Sequence, residues 1–120
     1  MFNIKPSSDA DYVLEIVFDI EKVLSDDKYS FEAVYNASLK PYTDRDLGYF
    51  MTNDNRLVIY AKYTEDSASM ILYTTMKLYE CHWFRDYVCN ILFYDFNDLD
   101  ETGNVEPENV LDSFKIREWS

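Results

Sequence analysis

Hydrophobic and polar positions follow two rhythms along this chain, and a helical one comes first. Val13, Ile16, Val17, Ile20 and Leu24 recur at helical spacing on one face. Ser7 and Ser8 offer a cap, and Asp9 and Asp11 fall in the first turn, where the helix dipole favours acids. The spacing predicts an amphipathic helix from Ser7 to about Leu24. Asp11, Glu15 and Asp19 lie four residues apart on its opposite face, and Lys22 and then Asp26 continue that stripe. Ser30 to Leu39 reads as a short second helix with Phe31, Val34 and Tyr35 inward, ended by Pro41.

The rhythm then changes to a period of two. Leu57, Ile59, Ala61 and Tyr63 alternate with Val58, Tyr60 and Lys62. Asn53-Asp54-Asn55 tolerates the positive φ that tight hairpins need. The pattern predicts a hairpin of Gly48–Thr52 and Arg56–Tyr63. Glu65-Asp66-Ser67 resembles another helix start, and Trp83, Phe84, Tyr87, Val88 and Ile91 keep helical spacing. Between them, Met70, Leu72, Met76 and Leu78 also fit a strand broken at Thr74. With no turn signal between Tyr79 and Cys81, one long helix over about 67–92 is expected. Thr102-Gly103-Asn104 reads as a turn, Pro107 with Glu108 as the first turn of a short helix, and Ser113–Trp119 as a closing strand with Phe114, Ile116 and Glu118 on one face. Together these elements predict a single α+β domain over residues 1–120. It has an N-terminal amphipathic helix, an antiparallel hairpin or small sheet and a long aromatic-rich helix.

Composition narrows the function. The chain has 120 residues, 48% of them hydrophobic and 18% aromatic, which is too apolar for a disordered acidic tail. It holds no bilayer-length apolar run and no signal-peptide pattern, so a cytoplasmic address is expected. Eleven Lys and Arg against 23 Asp and Glu give a net charge of −12. The basic residues are scattered, so direct nucleic-acid binding and anionic membranes are not expected. From Asp86 to Phe114 there is no Lys or Arg, while Asp95, Asp98, Asp100, Glu101, Glu106, Glu108 and Asp112 lie in that gap. A basic protein partner suits such a chain.

Catalytic and cofactor motifs are missing. His82 is the one histidine, and Cys81-His82 with Cys89 lacks the spacing of a structural zinc site. Adjacent residues on a helix point about 100° apart, so Cys81 and His82 do not form a nucleophile pair. On one helix, Cys81 and Cys89 would stand ~12 Å apart, too far for a disulfide. Two glycines leave no phosphate cradle. Neither register of the 95–106 run completes a calcium loop: from Asp95 the sixth position is Asp100, and from Asp98 the twelfth is Asn109. No cofactor, no metal and no enzymatic activity are expected.

Eleven tyrosines are many for 120 residues. Tyr73 and Tyr87 are expected in the core. Tyr94 and Phe96, beside the acidic run, are expected as exposed anchors of an interface, since aromatic residues dominate binding hot spots. The candidate partner-binding set is therefore Asp11, Glu15, Asp19, Asp26, Tyr94, Asp95, Phe96, Asp98, Asp100, Glu101, Glu106 and Glu108. In size and acidity the chain is similar to immunity proteins that neutralise nuclease toxins, and to DNA-mimic proteins that occupy a DNA-binding groove. The likeness is one of composition over the whole chain. A helix stripe spaces its acids roughly 6 Å apart, whereas a DNA strand carries a phosphate every ~3.4 Å. A dedicated toxin inhibitor is thus ranked ahead of a DNA mimic, with a structural subunit of a larger assembly as a third reading.

Overall fold

The computed structural model describes residues 5–118. The protein is an α+β domain built on one five-stranded antiparallel sheet. In chain order the elements are β1 (Tyr12–Phe18), α1 (Ile20–Asp26), α2 (Phe31–Thr43), β2 (Gly48–Met51), β3 (Leu57–Ala61), α3 (Ser67–Tyr79), α4 (His82–Tyr87), β4 (Val88–Asp95), β5 (Glu108–Asn109) and α5 (Val110–Glu118). The strands lie in the order β2-β3-β1-β4-β5.

The expected N-terminal helix is instead the central strand. β1 pairs with β3 on one side and β4 on the other, so neither of its edges is open. Tyr12, Leu14, Ile16 and Phe18 face the helices, and Val13 and Glu15 face the opposite side, all buried. A strand buried on both faces reads as a nearly continuous apolar run, and such a run also contains helical spacings. Leu14 shows the difference, because the helical reading leaves it off the apolar stripe and the structure buries it completely. The helix that does form, α1, starts only after Asp19, whose side chain accepts from the Lys22 N–H at 3.1 Å.

The hairpin forms as expected, with Asn55 at φ 63° in its turn. α2 is capped by Ser30 and continues two residues past Pro41, to Thr43. In a last turn, proline removes one hydrogen bond without breaking further turns. There the Arg45 Nη1 donates to the Pro41 carbonyl (2.9 Å) and the Thr43 hydroxyl to that of Lys40 (3.1 Å). A buried hydrogen bond of 2.8 Å between the Tyr42 and Thr75 hydroxyls ties α2 to α3.

The expected helix over 67–92 is three elements. α3 ends at Tyr79, Cys81 adopts extended backbone, and α4 lasts six residues before the chain becomes β4 at Val88. Val88–Asp95 alternates between Ile91 and Phe93 on the helix side and Leu92 and Tyr94 on the other. Pairing with β1 selects the strand over the helical alternative. Cys81 and Cys89 therefore do not share a helix, and both are free thiols. Pro107–Glu108 enters strand β5 rather than a helix, and the expected closing strand is helix α5 through Glu118. Trp119 lies outside the described residues. Tyr87 is buried as expected, but Tyr73 is half exposed on α3.

All five helices belong to one side of the sheet, where the larger core lies. The other side is covered by chain without regular structure. Ala10, Phe96 and Val105 close over Val13, Val58 and Tyr94 as a second, smaller core. This covering segment, residues 96–107 between β4 and β5, is the acidic run.

Candidate functional site

The acidic run is an ordered loop. Asp95 starts it by accepting the Asn97 N–H at 2.9 Å, and the Phe96 N–H donates to the Asp11 carbonyl at 2.9 Å. Phe96 stacks on Tyr94 with ring centroids 6.2 Å apart, and Val105 pins the far end under the loop. Asp100 organises the tip. One of its carboxylate oxygens accepts from the Thr102 N–H (2.9 Å), the Thr102 hydroxyl (2.7 Å) and the Asn104 N–H (2.9 Å). The Thr102 hydroxyl first, then the Asn104 amide, holds the Asp100 carboxyl below its ordinary range. Gly103 sits at φ 82°, where a side chain would be strained.

Outward, the loop presents Asp98, Asp100, Glu101 and Glu106, with Glu108 at the start of β5. Among the described residues, no Lys or Arg forms an ion pair with any of them. Asp98, Asp100 and Glu106 line an open depression of about 360 Å³ together with Leu99 and Pro107. Leu99 is half exposed there and is the apolar contact that sequence reasoning missed. Its signal was visible: a lone leucine between Asp98 and Asp100 fits no apolar period.

The other candidates are placed differently. Asp11, at the mouth of β1, accepts the Tyr63 N–H at 2.8 Å and bonds the Lys5 ammonium. The Lys5 hydrogen bond, then the Tyr63 amide, lowers its pKa. Asp19 caps α1. Asp26 accepts the Tyr87 hydroxyl at 3.1 Å, and burial of Tyr87, then that bond, raises the phenol's pKa. Glu15 lies mid-strand at 2% exposure. Its carboxylate accepts from the Tyr94 hydroxyl at 3.1 Å and from the Arg56 guanidinium at 3.3 Å. Arg56 in turn reaches Asp54 at 2.9 Å. So Asp11, Glu15, Asp19 and Asp26 share no helix face, and each makes an internal contact. Tyr94 and Phe96 are buried supports beneath the loop rather than exposed anchors.

The structure thus divides the predicted set. Asp98, Asp100 and Glu106 line one depression, with Glu101 exposed on the same loop, and Tyr94 and Phe96 hold that loop from below. Asp95 and Glu108 are placed apart from them: they pair with Tyr12 and Phe93 on the helix side of the sheet, where Glu108 lines a separate depression with Tyr73 and Phe114. Among the described residues, no three His, Cys, Asp or Glu side chains are placed to hold a metal ion. Nor, among them, is any helix long and apolar enough to cross a membrane. No protein-family model matches the sequence, and no curated protein matches it.

Proposed function

We propose that this protein is a non-catalytic acidic inhibitor that binds and neutralises a basic partner protein. The partner class we favour is a nuclease-type toxin, which makes the chain an immunity protein acting in the cytoplasm. The observation that carries this reading is the uncompensated rim. Residues 86–114 hold eight acids and no Lys or Arg, and the loop that displays four of them, Asp98, Asp100, Glu101 and Glu106, is braced by its own hydrogen bonds. A braced loop loses little conformational entropy on binding. A row of unpaired carboxylates speeds encounter with a basic surface and selects it over others. Leu99, in the middle of the row, is the apolar group that such an interface would desolvate.

The DNA-mimic reading is second. It needs a long row of carboxylates at phosphate spacing, and Glu15, which was to stand in that row, is buried between Arg56 and Tyr94.

The test compares the protein with a variant carrying Asp98→Lys, Glu101→Lys and Glu106→Lys. Both are immobilised, exposed to lysate of the source cells and eluted with a salt gradient. The reading expects a basic nuclease that the unmodified protein retains to high salt, that the variant releases early, and whose cleavage activity the unmodified protein blocks. Several DNA-binding proteins released together at modest salt would favour the mimic, because salt screens charge attraction that no packed contact supports. Absence of any basic protein sensitive to the three substitutions would remove the inhibitor reading.

A further inference from the structure

The opposite edge of the sheet has a different character. β2 is the terminal strand, and among the described residues no strand pairs with its outer side. Natural edges are usually protected by charge, proline, a bulge or a covering segment. β2 reads Gly48-Tyr49-Phe50-Met51 and has none of the first three. Tyr49 is 50% exposed and Met51 42%.

The hairpin register says which backbone groups point outward. The Thr52 N–H donates to the Arg56 carbonyl at 3.0 Å. In an antiparallel ladder hydrogen-bonded pairs alternate with non-bonded ones. Phe50 opposite Val58 and Gly48 opposite Tyr60 are therefore bonded pairs. The N–H and C=O groups of Tyr49 and Met51 point away from β3, toward the open side.

We propose that this edge pairs with a second copy of the chain, β2 against β2 in antiparallel sense, to give a continuous ten-stranded sheet. The outward groups set the register. Tyr49 lies opposite the second copy's Met51, and Met51 opposite its Tyr49, with the two-fold axis at Phe50. These two pairs exchange about four hydrogen bonds. They also bring each Met51 sulfur against a Tyr49 ring, a favourable contact.

Charge identifies a second copy as the occupant. Residues 40–62 carry four Lys and Arg against three Asp, in a chain whose net charge is −12. Three of the four cations are paired internally, Lys40 with Asp44, Arg56 with Asp54 and Lys62 with Asp9. Like meets like here without repulsion, whereas a strongly charged partner would find no complement. The acidic rim stands at the far edge, four strand spacings or about 19 Å away. That exceeds two Debye lengths of ~8 Å at physiological salt, so the rims of the two copies scarcely repel. The inference does not depend on what the rim binds.

Sedimentation equilibrium tests it, across micromolar to near-millimolar protein. The expected result is a concentration-dependent rise from the 14.3 kDa chain mass to twice that value. Met51→Pro removes only outward-facing N–H groups, so β2 still pairs with β3. It should weaken association roughly 30-fold, two lost hydrogen bonds at ~1 kcal/mol each, with unchanged far-ultraviolet circular dichroism. Tyr49→Lys is the second variant, expected to stay monomeric and folded. Amide exchange at Tyr49 and Met51 should slow as protein concentration rises. A monomer at every concentration overturns the proposal and leaves the edge to a strand of another protein. Dimerisation equally strong in Met51→Pro and Tyr49→Lys overturns it as well.

Discussion

The two edges of the sheet are built by opposite rules. At the β2 edge, charges balance, side chains are apolar and the backbone itself is on offer. At the β4–β5 edge the strand is short, a loop folds over it, and its Asp98, Asp100, Glu101 and Glu106 form no ion pair among the described residues. Both cannot serve the same kind of contact. A backbone edge needs a close, dry approach, which like charge prevents. A charged rim acts at a distance and tolerates water. Between them stands Glu15 on the central strand, with Arg56 from the hairpin on one side and Tyr94 beneath the rim on the other.

That bridge is where the comparison breaks most readily. Glu15→Ala removes the carboxylate that accepts from the buried Tyr94 hydroxyl and takes from Arg56 one of its two carboxylate partners. Losing a buried pair costs up to ~5 kcal/mol. Because Arg56 is a third exposed and keeps Asp54, about 2–3 kcal/mol is expected here. Urea unfolding should show it, and Glu15→Gln, which can still accept from Tyr94, should lose less.

The next effect sharpens the contrast in charge. Reversing Asp98, Glu101 and Glu106 should slow association with a basic partner by about 10–100-fold at low salt and flatten the salt dependence. Reversing Asp44, Asp46 and Asp54 at the balanced edge should change it far less. Equal effects in stopped-flow kinetics would mean that net charge, rather than the rim, governs encounter.

Val105→Ala tests whether the rim is held from below. Removing two buried methyl groups should cost about 1–2 kcal/mol and speed amide exchange in residues 96–107 while leaving the hairpin unchanged.

The smallest effect is a pH dependence. Asp100 is held below its ordinary value of 3.8 by Thr102 and then Asn104. A depressed folded-state pKa stabilises the fold fully above the unfolded value, and that contribution fades as pH falls through the folded one. Asp100→Asn should therefore make the acid limb of the stability curve shallower below about pH 4. Carboxyl chemical shifts should show Asp100 titrating below the ordinary aspartate value of 3.8. If Asp100 titrates at that ordinary value, the loop's hydrogen bonds do not hold in solution.

Local chemistry was the legible part. The Asn53-Asp54-Asn55 turn, the helix starting at Ser30, the Thr102-Gly103-Asn104 turn and the alternation of Leu57–Ala61 all act within a few residues, and all were readable. The acidic stretch of the site was readable for the same reason, since charge is a property of composition. Two segments misled. Tyr12–Phe18 and Val88–Asp95 pair with each other from end to end at separations of 70 to 83 residues. Nothing local announces that partner.

By itself, then, the sequence determined the α+β class, the hairpin, the helix that follows Ser30 and where negative charge collects. Those outcomes rest on capping, turn preference, period and charge count, which the chain carries locally. Only the tertiary structure decided that the first apolar run is a central strand, that Glu15 is buried against Arg56 and Tyr94, and that Tyr94 and Phe96 support the rim from beneath. The reason is that hydrophobic burial has no direction of its own. A run apolar enough for either helix or strand takes the form whose backbone hydrogen bonds its distant partners can complete.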